Sequence, residues 1–375
     1  MSVSRVFLDA SGSAPMSRRA IDALQAGIAD GWADPARIHA ESRKARALVD
    51  GAREAIAEIL DARPELVHFT TSPHHAFERL VGGMYKARRG FEGIAVSAVE
   101  RDAAVYAAAF AAPHAVDVLP VNEYGHVDLD ALQSTVAGGH TALALVQHAN
   151  QEIGTIQYND DVYAITHAAG VPLIVDATAS IGHIPAPGSW DALVAHPADW
   201  GGPGGIGVLA LRAHTRWLPA WPEGDDWAPG GVNVPLALAS AVALQERADT
   251  HADNADRLSG YIDRIRAAVA QYEGVAVVGD PVQRLPHVLT FAFLYLDGEP
   301  LLSRLDRAGI AVGSGSACKT NSLEPSRVME AIGALTHGNV RLGLHPGVTE
   351  ADIDRFLEIL PGIIADVRGD MGAHP

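Results

Sequence analysis

Short apolar runs rich in Val, Ile and Leu alternate with stretches of helical spacing between residues 66 and 211. The runs are Leu66–Phe69, Ile94–Ser97, Val116–Leu119, Leu143–Gln147, Leu173–Val175 and Gly207–Leu211. Strand-length apolar runs separated by helical patterns predict βαβ units and a mostly parallel sheet covered on both faces. Two helical patterns come earlier, over 16–30 and 40–62, after an opening strand and turn that begins at Val6–Asp9. A long helical pattern from Pro235 to Tyr272 bridges to a second region. That region reads as strands Val275–Val278 and His287–Phe293, helix Glu299–Arg307, strand Ile310–Val312, a loop, helix Pro325–Ile332, strand Asn339–Leu344 and closing helix Thr349–Val367. The expected organisation is a 1–15 N-terminal segment, a large α/β domain over 16–255 and a smaller α+β domain over 256–375.

Composition narrows the class. With 48% hydrophobic and 19% charged residues the chain has the make-up of a folded protein, and 375 residues suffice for two packed domains. A net charge of −17 with no basic run argues against a nucleic-acid partner. The start, Met1-Ser2-Val3-Ser4-Arg5, lacks the apolar core of an export signal, and no apolar stretch has the length of a membrane span. With a single cysteine, these features lead us to expect a cytoplasmic protein with no membrane association. Basic residues are almost all arginine: Lys44, Lys86 and Lys319 are the only lysines.

The lone cysteine, Cys318, lies in Gly313-Ser314-Gly315-Ser316-Ala317-Cys318-Lys319-Thr320. An isolated cysteine is ordinarily a small buried hydrophobe. Here small residues precede the thiol, Leu323-Glu324-Pro325-Ser326 reads as a helix start after it, and Lys319 beside it favours the thiolate. The expectation is a reactive sulfur on a mobile, accessible loop.

This loop resembles the catalytic loop of the cysteine desulfurases, pyridoxal-phosphate (PLP) enzymes of the class V aminotransferase fold. The resemblance extends over nearly the whole chain and implies the fold-type I PLP-dependent transferase architecture. Asn150-Gln151-Glu152-Ile153-Gly154 is similar to the family's Asn-Asn-Glu-Ile-Gly, and Val175-Asp176-Ala177-Thr178 to its strand end carrying the acid for the pyridine nitrogen. Without the resemblance, Asp176 reads equally well as a cap for the segment that follows. Arg341, in Val340-Arg341-Leu342-Gly343-Leu344, matches the arginine that pairs with the substrate carboxylate, although an arginine in an alternating strand is otherwise a solvated edge residue.

The resemblance also marks departures. The family's Ser-x-His-Lys before a Gly-Pro turn aligns with His196-Pro197-Ala198-Asp199, which puts Asp199 at the Schiff-base lysine and His196 at a phosphate-binding serine. A carboxylate cannot form an imine. Lys44 and Lys86 fall on amphipathic helical patterns and read as surface residues, and Lys319 belongs to the thiol loop. Gln151 stands where an Asn would bond the cofactor's phenolic oxygen, and Ala179 replaces a cofactor-bonding Gln. Pro73 and His74 interrupt the phosphate loop, Thr70-Thr71-Ser72-Pro73-His74-His75, and Pro73 removes a backbone donor. Arg101, in Glu100-Arg101, replaces the ring-stacking histidine, and Pro229-Gly230-Gly231-Val232 lacks the hydroxyl that reaches a partner's phosphate.

These departures imply a cysteine desulfurase-like protein, a pseudoenzyme toward cysteine, with no covalently bound PLP. It would handle sulfur through a Cys318 persulfide, as a homodimer or as the pairing subunit of an active desulfurase, and pass sulfur to an acceptor protein. The rival expectations are an active desulfurase that binds PLP in an atypical way, and an anion pocket built from His74, His75, His196 and Arg101. The spacing of these residues is not that of a metal site.

Overall fold

A computed structural model describes residues 5–219, 227–228, 230–294, 296–314, 326–336 and 338–370. Among them the central sheet has seven strands in the order Val67–Thr70, Gly207–Leu211, Ala192–Ala195, Leu173–Asp176, Thr141–Leu145, Gly93–Ser97 and Val116–Leu119. Gly207–Leu211 runs antiparallel to both neighbours and the remaining pairings are parallel, so the sheet is mostly parallel as expected.

Alternation along the strands builds two cores from one sheet, because successive side chains point to opposite faces. Ala95, Ala144, Leu173, Val175, Leu193 and Ala195 pack on one face with helices Ala40–Ile59 and Asn159–Ala168 and the start of helix Val234–Val269. Ile94, Val96, Leu143, Leu145, Ile174, Ala192 and Val194 face the other way, against helices Pro73–Ala87 and Asp102–Ala111. A further core gathers the second half of Val234–Val269, the sheet Asn339–Gly343/Val288–Phe293/Val275–Val278 and helix Glu350–Asp370. Val6 and Leu8 belong to that last core, and Val6–Phe7 pairs in parallel with Ile310–Ala311. The opening strand is thus stitched to the C-terminal region.

The strand Ala192–Ala195 has no counterpart among the apolar runs read from the sequence. Four residues, two of them alanine, give a weak strand signal, yet all four are buried. The strand Thr141–Leu145 lies two residues earlier than its apolar run and ends at Leu145, which leaves Gln147 beyond the strand. A short 3₁₀ turn, Pro197–Trp200, follows Ala192–Ala195 and ends at Gly201, whose φ of 84° lies in the left-handed region that suits glycine. Trp200 is fully buried and donates from Nε1 to the Ser240 carbonyl at 3.0 Å. It anchors the turn to the long helix. Trp200→Ala is expected to cost about 3–5 kcal/mol through the cavity it leaves, read as a lower urea midpoint with little change in slope.

Candidate active site at the sheet edge

Parallel strands bring their carboxyl ends to one edge, and open α/β sheets bind ligands there. Glu100 and Arg101 follow Gly93–Ser97, Gln147 and Asn150 follow Thr141–Leu145, Asp176 closes its own strand, and His196 and Asp199 follow Ala192–Ala195. Asn150 holds part of this edge in shape. Its side chain accepts from the Glu152 and Ile153 amides at 2.8 and 2.9 Å and donates to the Val99 carbonyl at 3.0 Å.

The centre is an ion pair. Arg101 Nε donates to Asp176 Oδ2 at 2.7 Å, and its Nη2 donates to Thr178 Oγ1. Asp176 Oδ1 accepts from the Thr178 amide at 2.9 Å and from its hydroxyl at 2.6 Å, so both carboxylate oxygens have partners within the chain. Asp176 is 4% exposed. Burial works against the Arg101 charge, but Asp176 and then Asp199 outweigh it and raise the guanidinium pKa above its ordinary value. The neighbouring Glu100 is fully buried and accepts from the Gln147 amide at 2.6 Å through Oε1, while Oε2 has no hydrogen-bond partner among the described residues. Burial, reinforced by the Asp176 charge, pushes Glu100 up to about 8.

A second pair sits on the next strand. His196 Nδ1 lies 2.8 Å from Asp199 Oδ2, and Asp199 is 3% exposed. The Asp199 carbonyl lies 3.0 Å from His183 Nε2, and His183 stacks on His287 with ring centroids 3.6 Å apart. Burial, with Arg247 nearby, lowers His183 to about 3. Burial likewise lowers His287 well below its ordinary value, aided by His183 and Arg247, so the stack is held neutral.

The remaining expected site residues lie around these pairs. Ser72 caps helix Pro73–Ala87 by accepting the His75 amide, His75 Nδ1 meets Thr71 Oγ1 at 3.2 Å, and His74 is exposed. Of the four residues expected to form an anion pocket, Arg101 and His196 are thus engaged with carboxylates and His75 with a threonine. The Gln151 backbone carbonyl accepts from Ser11 Oγ at 2.6 Å. Arg341 is 7% exposed, with Nη2 3.7 Å from Asp9 Oδ1, and is not the solvated edge residue its strand pattern alone suggests. Cys318 and Lys319 lie outside the described residues, as does Pro229. The residues flanking the cysteine segment are tied to the site. Ser314 Oγ donates to Asn339 Oδ1, and Ser326 Oγ to Glu152 Oε2, both at 2.6 Å. Arg327 donates to the Glu100 carbonyl at 2.6 Å. Lys44 pairs with Asp30 on the surface and Lys86 is exposed, so neither described lysine belongs to the site. Among the described residues no three His, Cys, Asp or Glu side chains form a group suited to a metal ion.

Sequence reasoning missed Thr178, Arg327 and the Glu152–Ser326 contact. Thr178 carried one available signal: a hydroxyl two residues after a strand-end Asp is placed to bond back to it.

A mostly parallel sheet with this edge, joined by a long helix to a second α+β region, is the architecture of the class V aminotransferases. Residues 6–356 match that family, and the chain belongs to it. It is 32% identical to cysteine desulfurase IscS 1 of Archaeoglobus fulgidus over 96% of this chain and 97% of that one. It is also 32% identical to an IscS-like cysteine desulfurase of Mycobacterium tuberculosis, over 96% and 97%. Among solved structures, a NifS-like protein superposes with a TM-score of 0.89 at 22% identity, covering 96% of this chain and 100% of that one. An apo cysteine desulfurase from Thermococcus onnurineus gives 0.84 at 19% identity, covering 97% and 95%. These relatives belong to a PLP-dependent family.

The described residues do not fit a pyridoxal ring held in the family's way. Asp176, expected as the acid for a ring nitrogen, is engaged by Arg101; Asp199, expected at the position of the imine lysine, is a carboxylate paired with His196; and neither described lysine is near.

Glu100 sets a pH dependence. Its folded pKa of about 8 stands above the ordinary 4.5, so between those values the folded chain keeps a proton that the unfolded chain has released. Stability therefore falls as pH rises from about 5 to about 8, by at most about 1.4 kcal/mol per unit, and levels off above. Glu100→Gln should remove that slope. Urea titrations of both proteins from about pH 5 to pH 9 check this: parallel curves would mean that Glu100 does not titrate there.

Proposed function

We propose that this chain handles sulfur through Cys318 without an imine-bound PLP, accepting a persulfide from an active cysteine desulfurase. The observation that supports it is the Arg101–Asp176 ion pair, which engages the carboxylate a pyridinium would need. Thiol exchange needs neither ring nor imine. The Cys318 thiolate attacks the outer sulfur of a donor persulfide, a new S–S bond forms, and the donor's S–S bond breaks. The donor cysteine leaves as a thiolate that takes up a proton, and nothing is oxidised or reduced overall. The persulfide then moves to an acceptor protein by the same exchange. Cytoplasmic residence keeps the thiol reduced, and the two sulfurs meet either within a heterodimer with the donor desulfurase or when a homodimer of this chain docks on that donor.

A second reading is a working PLP-dependent desulfurase that uses Lys319. It is favoured by relatives at 32% identity, over nearly the whole chain, that bear the desulfurase name.

Mass spectrometry of the purified protein after incubation with an active desulfurase and labelled cysteine separates the two. The relay reading expects one labelled sulfur on Cys318, none on Cys318→Ala, and no label when the active desulfurase is omitted. With added PLP it expects no imine absorbance and no adduct after borohydride. Asp199→Lys alone should release little or no sulfide from cysteine, because the Arg101 pair remains. Sulfide release by the unmodified protein, abolished by Lys319→Ala, would establish the second reading instead.

A further inference from the structure

We propose that Arg101 is an intramolecular ligand: its guanidinium sits in a cation site built by Asp176 and Thr178, and the chain therefore carries a pocket for a planar monocation that it fills itself. The site is closed by three contacts among three residues. Arg101 Nε reaches Asp176 Oδ2 at 2.7 Å, Arg101 Nη2 reaches the Thr178 hydroxyl, and that hydroxyl reaches Asp176 Oδ1 at 2.6 Å. A flat, delocalised cation satisfies this geometry: the guanidinium fills it with two N–H donors on one edge, and a protonated pyridine presents one N–H that can take the Asp176 contact.

Burial gives the arrangement its force. The Asp176 side chain is 4% exposed and the Arg101 side chain 14%, so the carboxylate has little water to turn to if the arginine is shortened. A buried carboxylate deprived of its partner is strongly destabilising, whereas a neutral replacement of both partners is tolerated. Asp199 adds a second negative charge that favours the arginine. An incoming pyridinium must therefore displace a tethered cation that is always at its carboxylate.

The inference is independent of whether Cys318 carries sulfur, and it is tested without that reaction. Arg101→Ala should lower Tm by roughly 10 °C. Methylguanidinium at millimolar concentration should restore much of that loss in Arg101→Ala, leave wild type unchanged, and leave Arg101→Ala/Asp176→Asn unchanged. The aldehyde-free ring analogue 4′-deoxypyridoxine 5′-phosphate, which cannot form an imine, should bind Arg101→Ala at least about tenfold more tightly than wild type, the removal of a competing charge pair at a buried site being worth that much or more. The double variant should lose this gain. Should Arg101→Ala fail to fold, Arg101→Gln keeps the reach and removes the charge, and the ring analogue should distinguish it from wild type in the same sense. Wild type binding the analogue as tightly as Arg101→Ala, or methylguanidinium acting equally on the single and double variants, overturns the proposal. Sulfur loading of Cys318 in a wild type that also binds the analogue would sink this inference alone; failed loading in a wild type that rejects the analogue would sink only the relay.

Discussion

A carboxylate at the end of a central strand, shut away from water, has to be met by a cation or be protonated. Asp176 occupies that position, and the chain meets it with Arg101, 75 residues earlier. The rest of the edge is arranged around this pair. Glu100, beside it in sequence and buried, is pushed toward its neutral form, which limits the negative charge around one arginine. Asp199 adds to the field that keeps Arg101 charged and has its own partner in His196. Thr178 closes the geometry by serving both the acid and the base.

The scaffold makes this possible through strand direction. Gly93–Ser97, Leu173–Asp176 and Ala192–Ala195 deliver Arg101, Asp176 and the His196–Asp199 pair to the same edge because they run parallel. The long helix fixes the third of these from behind: Trp200 bonds the Ser240 carbonyl and Arg247 donates to the Trp200 carbonyl at 2.9 Å. The C-terminal region reaches the same edge through Arg327 and through Ser326, which bonds the half-buried Glu152. Ser326 and Arg327 thus touch both the Asn150–Gly154 turn and Glu100.

Much of this was legible in the chain. Apolar runs bounded by turn residues marked most strands to within two residues, because burial on both faces leaves few polar positions to blur the pattern. Ala192–Ala195 escaped because alanine has little strand preference and the segment is too short to show a period. The N-terminal strand was visible, but its attachment to Ile310–Ala311 was not, since pairing across 300 residues leaves no local trace. The site divides in the same way. Each departure at Arg101, His196 and Asp199 was visible as a residue, and the motifs placed each one. What the residues do for one another was not visible: read singly, Arg101 and His196 suggested an anion pocket, whereas in the fold both are engaged with carboxylates.

A protein whose buried acid relies on a bound cation gains stability only as far as that ligand is supplied, by RT ln(1 + [L]/Kd). A protein that carries its own cation has the same term built in at the fixed effective concentration of a tethered group. The Arg101–Asp176 pair converts the first situation into the second. The fold need not then depend on ligand supply, and the pocket has no standing charge defect to draw a ring in. The same substitution acts on chemistry in the opposite sense, since a carboxylate engaged by a guanidinium cannot also stabilise a proton on a ring nitrogen. An exchange reaction at a thiol makes no demand on that carboxylate. On the proposed reading, sulfur transfer through Cys318 is the part of the family's chemistry that a self-filled pocket leaves open, because it asks nothing of Asp176.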